Sequence, residues 1–191
     1  VLPELNLVNA NVHDAGGLAV QFKSVDVVIN LVGILNERGH GGSGFQTAHA
    51  ELARKVAATC RSAGVTRLLP TLVSSPPATF ASCARTLARC PLPEIVGLHA
   101  EGPFISPVDG YRGAHARASV RDASVEEFRR MQDAADGRIR LLTLAPEVPG
   151  ALLLVEHAAA SGVVVALGHT AASGAQMRDA GAFAASSPHG A

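Results

Sequence analysis

An imidazole and a carboxylate stand two positions apart in the segment Gly97–Pro107, which reads GLHAEGPFISP. On a β-strand, side chains two positions apart share one face, so His99 and Glu101 are predicted to point in the same direction. The pair Gly102–Pro103 follows at once and is expected to end the strand. Because parallel α/β proteins keep their chemistry at the carboxyl ends of the strands, this segment is the first candidate for a functional site.

Two later apolar runs also end in an ionisable residue, Glu147 after Ala145–Pro146 and His169 after Gly168. The ends of neighbouring parallel strands share one rim, so these side chains are expected to converge with Glu101. Carboxylate oxygen and neutral imidazole are the ligands that Zn, Fe or Mn take in hydrolytic sites. Glu101 and His169 therefore predict a divalent metal site, which lowers the pKa of bound water and polarises a carbonyl. For Glu147 the alternative is an exposed carboxylate at a helix N-terminus.

Strand and helix patterns alternate along the chain with a period of about thirty residues. The predicted strands are Leu5–Val12, Val25–Gly33, Thr66–Val73, Ile95–His99, Arg138–Leu144 and Val163–Gly168. The predicted helices are Ala15–Lys23, Phe45–Ala63, Ala78–Arg89, a helix from the N-cap Ser124 to about Ala135, Ala151–Ser161 and Ser173–Ala180. Such alternation with Val-, Leu- and Ile-rich strands predicts an α/β fold with a parallel sheet.

Composition narrows the partner class. The 191 residues are 48% hydrophobic and 17% charged, with a formal net charge of zero, which predicts a soluble globular protein. Without a basic block, nucleic acid is not expected as a partner, and no apolar stretch reaches the ~20 residues of a membrane span. A small-molecule partner is expected instead. Cys60, Cys83 and Cys90 lack metal-finger spacing and predict reduced thiols in a cytoplasmic protein.

Two glycine-containing loops are separate candidates. The loop Asn36–Gly44 is rich in glycine but lacks the lysine of a phosphate-binding P-loop, so a flexible surface loop is the better interpretation. The loop Ser106–Ser119 directly follows the His99–Glu101 strand and carries Arg112 and His115. That position makes it a candidate substrate lid.

From about residue 69 to about residue 181 the chain resembles the N-acetylglucosamine-6-phosphate deacetylases. The matching segments occur in the family's order: Leu68–Ser75 (LLPTLVSS), Gly97–Pro107, Arg112–His115 (RGAH), Leu141–Glu147 (LLTLAPE) and Val164–Ser173 (VVALGHTAAS). These enzymes are metal-dependent amidohydrolases on a (β/α)8 barrel. The resemblance implies hydrolysis of the acetamide of N-acetylglucosamine 6-phosphate to acetate and glucosamine 6-phosphate.

The resemblance also implies roles for particular residues. Glu101 would be one direct ligand of the divalent cation (Zn, Fe or Mn) and His169 a second. His115, with the backbone of the neighbouring Ala114, would contact the amino-sugar phosphate. The family's further histidine ligand has no counterpart at the corresponding position, where Ser187 stands, so the third ligand is either His189 or absent.

The family's general acid/base aspartate is expected beyond the C-terminus of this chain. A complete barrel takes typically ~250 residues, so the chain is expected to hold a partial (β/α)8 barrel. An incomplete barrel leaves strand edges open, which predicts marginal stability or association into a homo-oligomer.

Residues 9–68 have a different resemblance, to NAD(P)-binding short-chain-dehydrogenase-like proteins related to an accessory subunit of respiratory complex I. It is carried by Val25–Gly39 (VDVVINLVGILNERG) and Phe45–Leu69. It implies a Rossmann-like fragment over residues 1–68, with Asn30 and Gly33 near a dinucleotide, and a barrel fragment over 69–191. Neither a glycine fingerprint nor a TyrxxxLys pair is present, so cofactor binding by this fragment is not expected. The alternative function is a dehydrogenase- or epimerase-like or non-catalytic module.

Overall fold

Four parallel strands form the sheet of this protein. The computed structural model describes Gly16, Gly17, Val20, residues 52–62 and residues 64–185. The strands are β1 (Thr71–Val73), β2 (Leu98–Glu101), β3 (Ile139–Leu144) and β4 (Val164–Leu167). They lie side by side in chain order, and each neighbouring pair is parallel. The α/β fold with a parallel sheet is thereby confirmed.

Helices alternate with the strands. They are α1 (Leu52–Ser62), α2 (Pro77–Ala88), α3 (Val125–Ala134), α4 (Ala151–Ala160) and α5 (Gly174–Ala185), with a short 3-10 turn at Arg117–Ser119. None of the helices that the structure describes is long and apolar enough to cross a membrane.

Local sequence explains where α2 and α3 begin. At α3 the hydroxyl of Ser124 accepts a hydrogen bond of 3.2 Å from the backbone N–H of Glu127, which satisfies one of the free donors of the first turn. Glu126 and Glu127 place negative charge beside the positive end of the helix dipole. Helix α2 begins at Pro77, where a proline costs no helical hydrogen bond.

The two faces of the sheet differ in polarity. Leu72, Leu98, Ala100, Leu142 and Leu144 are buried in the main hydrophobic core with residues of the helices. On the opposite face, the side chains of Thr71, His99 and Thr143 form a polar row across β1, β2 and β3. Alternation along each strand produces this division, because successive side chains point to opposite faces. The polar face is therefore the one that leads to the candidate site.

Most predicted elements in the described region exist, with shifted ends. The strand predicted at Ile95–His99 lies at Leu98–Glu101, and Ile95 makes only an isolated bridge with Leu68. The helix predicted at Ser173–Ala180 runs on to Ala185. Both shifts follow from backbone pairing and packing that a local pattern does not encode.

Several predictions fall on residues that the structure does not describe. Of the helix predicted at Ala15–Lys23, the structure describes Gly16, Gly17 and Val20, which are helical. The other predictions outside the described residues are Leu5–Val12, Val25–Gly33, Asn36–Gly44, the first part of Phe45–Ala63, and His189. The cysteines predicted as thiols, Cys60, Cys83 and Cys90, are buried, and burial raises the pKa of Cys60.

Candidate metal centre

Three side chains gather at the carboxyl ends of the strands. Glu101 is the last residue of β2, His169 follows β4, and His115 comes from the loop between β2 and α3. One potential ligand atom from each lies within 4.8 Å of those of the other two. In the part of the chain that the structure describes, this is the one such group of three histidine, cysteine or acidic side chains. The sequence prediction that Glu101 and His169 converge is confirmed geometrically.

The shortest contact in this group joins His169 to Glu101. The Nε2 atom of His169 lies 3.0 Å from Oε1 of Glu101, and both side chains are largely shielded from solvent. The other ring nitrogen, Nδ1, lies 3.3 Å from the carbonyl oxygen of Tyr111. The Tyr111 carbonyl and the Glu101 carboxylate can only accept, so the ring donates to both when it is protonated and to one of them when it is neutral. In the neutral tautomer with the proton on Nδ1, the lone pair of Nε2 faces the carboxylate, as metal binding requires.

His115 has the opposite surroundings. Its Nδ1 atom lies 3.3 Å from the backbone nitrogen of Ser74 and 2.9 Å from the Ser74 hydroxyl. A backbone N–H can only donate, so Nδ1 of His115 accepts and the neutral ring carries its proton on Nε2. That Nε2 lies 3.9 Å from Oε2 of Glu101. Burial, with the nearby His169 and Arg112, lowers the pKa of His115 and favours the neutral ring, against a smaller effect of Glu101.

The two histidines are therefore prepared for different chemistry. A metal-bound histidine usually donates its second ring N–H to a carbonyl or carboxylate, and the Tyr111 carbonyl beside Nδ1 of His169 is such an acceptor. His115 lacks this arrangement, because its Nδ1 already faces the donor of Ser74. A divalent cation fits between Glu101 and Nε2 of His169, and His115 presents an N–H donor beside that pair.

His99 does not reach the cluster, although it shares a face with Glu101 as predicted. Its Nδ1 lies 3.0 Å from the hydroxyl of Thr71 and its Nε2 2.7 Å from that of Thr143. Only 5% of its surface is exposed, and this burial lowers its pKa, against a smaller effect of Glu101. His99 thus lies beside the group formed by Glu101, His115 and His169 without joining it. It ties three strands together one layer below Glu101.

Glu147 also lies apart from the cluster. Its two carboxylate oxygens accept hydrogen bonds from the Thr170 hydroxyl and, at 2.7 Å, from the backbone N–H of Ala171. Glu147 therefore lies against the turn after His169 but does not join the group of Glu101, His115 and His169. The alternative of a helix N-terminal carboxylate is wrong, because α4 begins at Ala151 with Gly150 as its N-cap. The loop contact depends on a tertiary approach of residues 170–171 that no local pattern reveals.

The loop predicted as a lid brings His115 to the site. The guanidinium of Arg112 donates to the backbone oxygen of His115 and to the carboxylate of Asp109, which braces this turn. Gly113 has a φ of +61°, and a Cβ there would lie 3.1 Å from Cε1 of His169. Sequence reasoning from residues alone did not find Ser74 as part of the site, and it placed Arg112 and Gly113 in the candidate lid without a contact to Glu101 or His169. Ser74 lies in the Leu68–Ser75 segment and the other two in Arg112–His115, both of which carried the family resemblance.

Fold and site together define a parallel α/β protein with a carboxylate–imidazole centre at the carboxyl ends of neighbouring strands. Ligand sites of this fold class lie at that edge of the sheet. No protein-family model matches the chain.

The relatives and structural neighbours of the chain are N-acetylated amino-sugar phosphate deacetylases. It is 33% identical over 173 residues to N-acetylglucosamine-6-phosphate deacetylase of Homo sapiens, covering 84% of this chain and 39% of the relative. It is 33% identical over 153 residues to N-acetylgalactosamine-6-phosphate deacetylase of Escherichia coli O157:H7, covering 75% of this chain and 40% of the relative.

A solved structure gives the same result. An aspartate-to-alanine variant of N-acetyl-D-glucosamine-6-phosphate deacetylase from Mycobacterium smegmatis, in complex with N-acetyl-D-glucosamine-6-phosphate, superposes with a TM-score of 0.68 at 34% identity. The superposition covers 82% of this chain and 39% of that one. The chain thus spans about two fifths of the length of the proteins it matches.

The extent of these matches bears on residues 9–68. Residues 69–191 make up less than two thirds of the chain, so a match over 84% of it includes residues before 69. The comparisons give no support to the resemblance of residues 9–68 to dehydrogenase-like proteins. Similarity to the deacetylases instead extends across the boundary predicted at residues 68 and 69.

Proposed function

We propose that the protein takes part in metal-dependent hydrolysis of the acetamide of N-acetylglucosamine 6-phosphate, releasing acetate and glucosamine 6-phosphate. The observation that supports this most is the pair Glu101 and His169, whose Oε1 and Nε2 atoms lie 3.0 Å apart at the strand ends. Either a proton on Nε2 joins the two atoms, or a divalent cation takes the place of that proton and binds both side chains. The similarity to deacetylases supports the choice of reaction.

Glu101 and His169 would hold the divalent cation, Zn, Fe or Mn. When bound, such a cation supplies an activated water and polarises the amide carbonyl. The protein orients its two ligands through Tyr111, which accepts from His169, and through the backbone of β2, which carries Glu101. A third ligand, His189 or none, stays a prediction, because His189 lies outside the described residues.

His115 would contact the substrate, with the backbone of Ala114 beside it. Its Nε2–H is a donor, so it suits an oxygen of the amino-sugar phosphate rather than the cation. Nδ1 of His115 accepts from the backbone N–H of Ser74 and lies beside the Ser74 hydroxyl, so the proton of the neutral ring is on Nε2. Because its pKa is lowered, His115 donates as a neutral imidazole near neutral pH.

We also propose that residues 69–191 are part of a (β/α)8 barrel. Four parallel strands in chain order, connected through helices, are the repeating unit of that fold, and the polar face with His99 and Glu101 would line its interior. A separate fragment over residues 1–68 remains a prediction. The proposed partner is an amino-sugar phosphate, and association into a homo-oligomer remains a prediction too.

The test combines metal content with acetate release. Wild type, Glu101→Gln and Glu156→Gln are loaded with Zn²⁺, freed of excess metal and assayed with N-acetylglucosamine 6-phosphate. Glu156 is an exposed residue of α4, so its substitution makes the same charge change away from the site. We expect one bound zinc in wild type and Glu156→Gln, and little turnover, with the acetate that is released depending on that zinc. Glu101→Gln should bind zinc more than about 100-fold more weakly, since even residues that only orient a ligand are worth 10–100-fold.

N-Acetylgalactosamine 6-phosphate is assayed in parallel, because one relative is a deacetylase of that sugar. Faster acetate release from the galactosamine substrate would reassign the substrate within the same reaction. If neither sugar phosphate releases acetate from the zinc-loaded protein, the proposed activity is wrong. Equal zinc affinity in wild type and Glu101→Gln would rule out the proposed metal ligands.

A further inference from the structure

The loop after β4 holds His169 in an unusual backbone conformation. Its φ is +51°, in the left-handed region that residues with a side chain seldom adopt. Such a conformation persists only where surrounding contacts fix it. Those contacts decide whether Nε2 of His169 faces Glu101.

Glu147 provides the firmest of these contacts. It follows β3, the strand next to β4, and its carboxylate accepts hydrogen bonds from the two residues that follow His169. One oxygen accepts from the Thr170 hydroxyl, and the other accepts from the Ala171 N–H at 2.7 Å. The Thr170 hydroxyl oxygen also accepts from the backbone N–H of Ala172 at 2.9 Å, which extends the hydrogen-bonded turn by one residue. Hydrogen bonds to a charged acceptor are the stronger kind.

The other anchors of His169 come from the loop that carries His115. The backbone oxygen of His169 accepts from the N–H of Ser106 at 2.9 Å, and Nδ1 of its ring faces the carbonyl oxygen of Tyr111, whose side chain is exposed. Loops open more easily than the sheet they cover. Among the described contacts, Glu147 is thus the charged group that ties the His169 turn to the adjacent strand end.

We infer that Glu147 is a positioning residue, which fixes the turn at Thr170 and Ala171 and thereby aims Nε2 of His169 at Glu101. It does not act on the metal itself, because both of its oxygens are engaged by the turn. The inference rests on the proposed function in one respect, namely that His169 is a metal ligand. Its geometric part, the orientation of the His169 ring, stands without any metal.

The first test therefore uses metal-free protein. Long-range ¹H–¹⁵N NMR correlations of the histidine rings report which nitrogen carries the proton and how fixed each ring is. In wild type, His169 should show one fixed ring signature, because Glu101 and Tyr111 accept at its two nitrogens. In Glu147→Ala and Thr170→Val this signature should give way to that of a mobile, solvent-exposed imidazole. His99, held by two threonines elsewhere, should keep its resonances, as should every histidine in the control Glu156→Ala.

The second test measures zinc affinity by competition with a chelator. Glu147→Ala and Thr170→Val should each weaken zinc binding by about 10–100-fold, the range for residues that orient a ligand. The double variant should bind zinc about as weakly as Glu147→Ala alone, because both changes break one connection. Glu147→Gln keeps the size of the side chain and one acceptor oxygen, so it should lie between wild type and Glu147→Ala. It also serves if the alanine variant fails to fold.

The outcomes separate this inference from the proposed function. Unchanged His169 resonances in Glu147→Ala would overturn the inference, whether or not metal binds. Loss of zinc in Glu147→Ala while the His169 ring keeps its fixed signature would show that the carboxylate acts on the metal directly, which also overturns the inference. If wild type binds no zinc, the proposed function fails, and the NMR result still decides the role of Glu147.

Discussion

The two ends of the sheet carry charged and polar groups in contrasting arrangements. At the amino ends of the strands charged side chains are paired with partners of the opposite kind, although Oε2 of Glu94 is buried without a hydrogen-bond partner among the described residues. Arg61 donates to Glu94, and Arg138 donates to the backbone oxygens of Ala88 and Ile95. The hydrogen bond between Arg61 and Glu94 raises the pKa of the arginine and lowers the pKa of the glutamate. Both charges are stabilised by partners that the chain itself supplies.

At the carboxyl ends the pairing is incomplete. Both ring nitrogens of His169 face acceptors, Glu101 at 3.0 Å and Tyr111 at 3.3 Å, and Nε2 of His115 lies 3.9 Å from the other oxygen of Glu101, beyond hydrogen-bond distance. Complementary charges at one end indicate a structural role. A histidine between two acceptors at the other end fits a site that a cation from outside the chain completes.

The largest expected effect comes from removing one carboxylate at each end. Glu101→Gln should abolish the rise in melting temperature that zinc causes in wild type, a stabilisation of about 2.7 kcal/mol at a zinc concentration 100 times Kd. Without metal it should cost little stability, because the glutamine amide can donate to His169. Calorimetry with and without zinc measures both effects.

The matched variant at the amino end is Glu94→Gln. It should lower the melting temperature without metal, because Arg61 loses its charged partner, and it should leave the zinc-induced rise unchanged. If both variants behave alike, the distinction between the two ends of the sheet is wrong.

A second comparison uses two glycines that share a left-handed backbone. Gly113 has a φ of +61° and would direct a Cβ to 3.1 Å from His169, whereas Gly137, before β3, has a φ of +68° and open space around it. Alanine at either position costs backbone strain, on the order of 1 kcal/mol. Only Gly113→Ala should also weaken zinc binding, by about 10-fold, because it displaces a ligand ring. Equal zinc affinities would argue against His169 as a ligand.

The pH dependence of stability should differ between the two ends. Burial lowers the pKa of His99 and of His115 below 6.5, so the unfolded chain binds more protons between the folded pKa values and 6.5. The free energy of unfolding should therefore fall as pH drops through that window, by at most about 1.4 kcal/mol per pH unit for each histidine. His99→Asn should flatten the slope in metal-free protein.

For Glu94 the window lies lower. Its pKa is below 4.5 because of the hydrogen bond from Arg61, so the stability that it contributes is present above 4.5 and is lost as pH falls through the folded pKa. Chemical denaturation at several pH values separates the two windows. A slope below 6.5 that His99→Asn leaves unchanged would contradict the assignment to buried histidine.

The smallest expected effect concerns an ion pair that belongs to neither end. Arg130 and Glu126 lie one helical turn apart on the surface of α3, with most of both side chains exposed. Exposed pairs of this kind contribute about 0.3–0.5 kcal/mol. Arg130→Ala should thus change the free energy of unfolding by no more than about 0.5 kcal/mol and leave zinc affinity untouched. A loss above 1 kcal/mol would mean that the charges outside the site matter more than this account allows.

Local patterns were sufficient for much of the scaffold. The N-cap Ser124 and its acidic first turn define α3, and the apolar run before Thr143 defines β3, because both depend on neighbouring residues. The proximity of Glu101 and His169 could also be predicted, since a parallel sheet brings its strand ends together. The roles of these residues as metal ligands remain a proposal.

Other parts of the site depend on contacts between distant segments. His99 and Glu101 do share a face, but nothing in the sequence places Thr71 and Thr143 on either side of His99. Glu147 looked like a residue of the rim or a helix end, and only the fold brings the turn after His169 onto it. His115 entered through family resemblance, because its approach requires the whole preceding loop to fold back.

The central claim is that Glu101 and His169 bind a divalent cation, whereas His115 is a hydrogen-bond donor that does not bind it. Anomalous diffraction from zinc-loaded crystals tests it most directly. The account predicts one zinc about 2.0–2.2 Å from a carboxylate oxygen of Glu101 and from Nε2 of His169. Nδ1 of His115 should keep its contacts to Ser74, and its Nε2 should lie outside the coordination sphere. A zinc bound by Nε2 of His115, or no zinc at Glu101, would contradict the account.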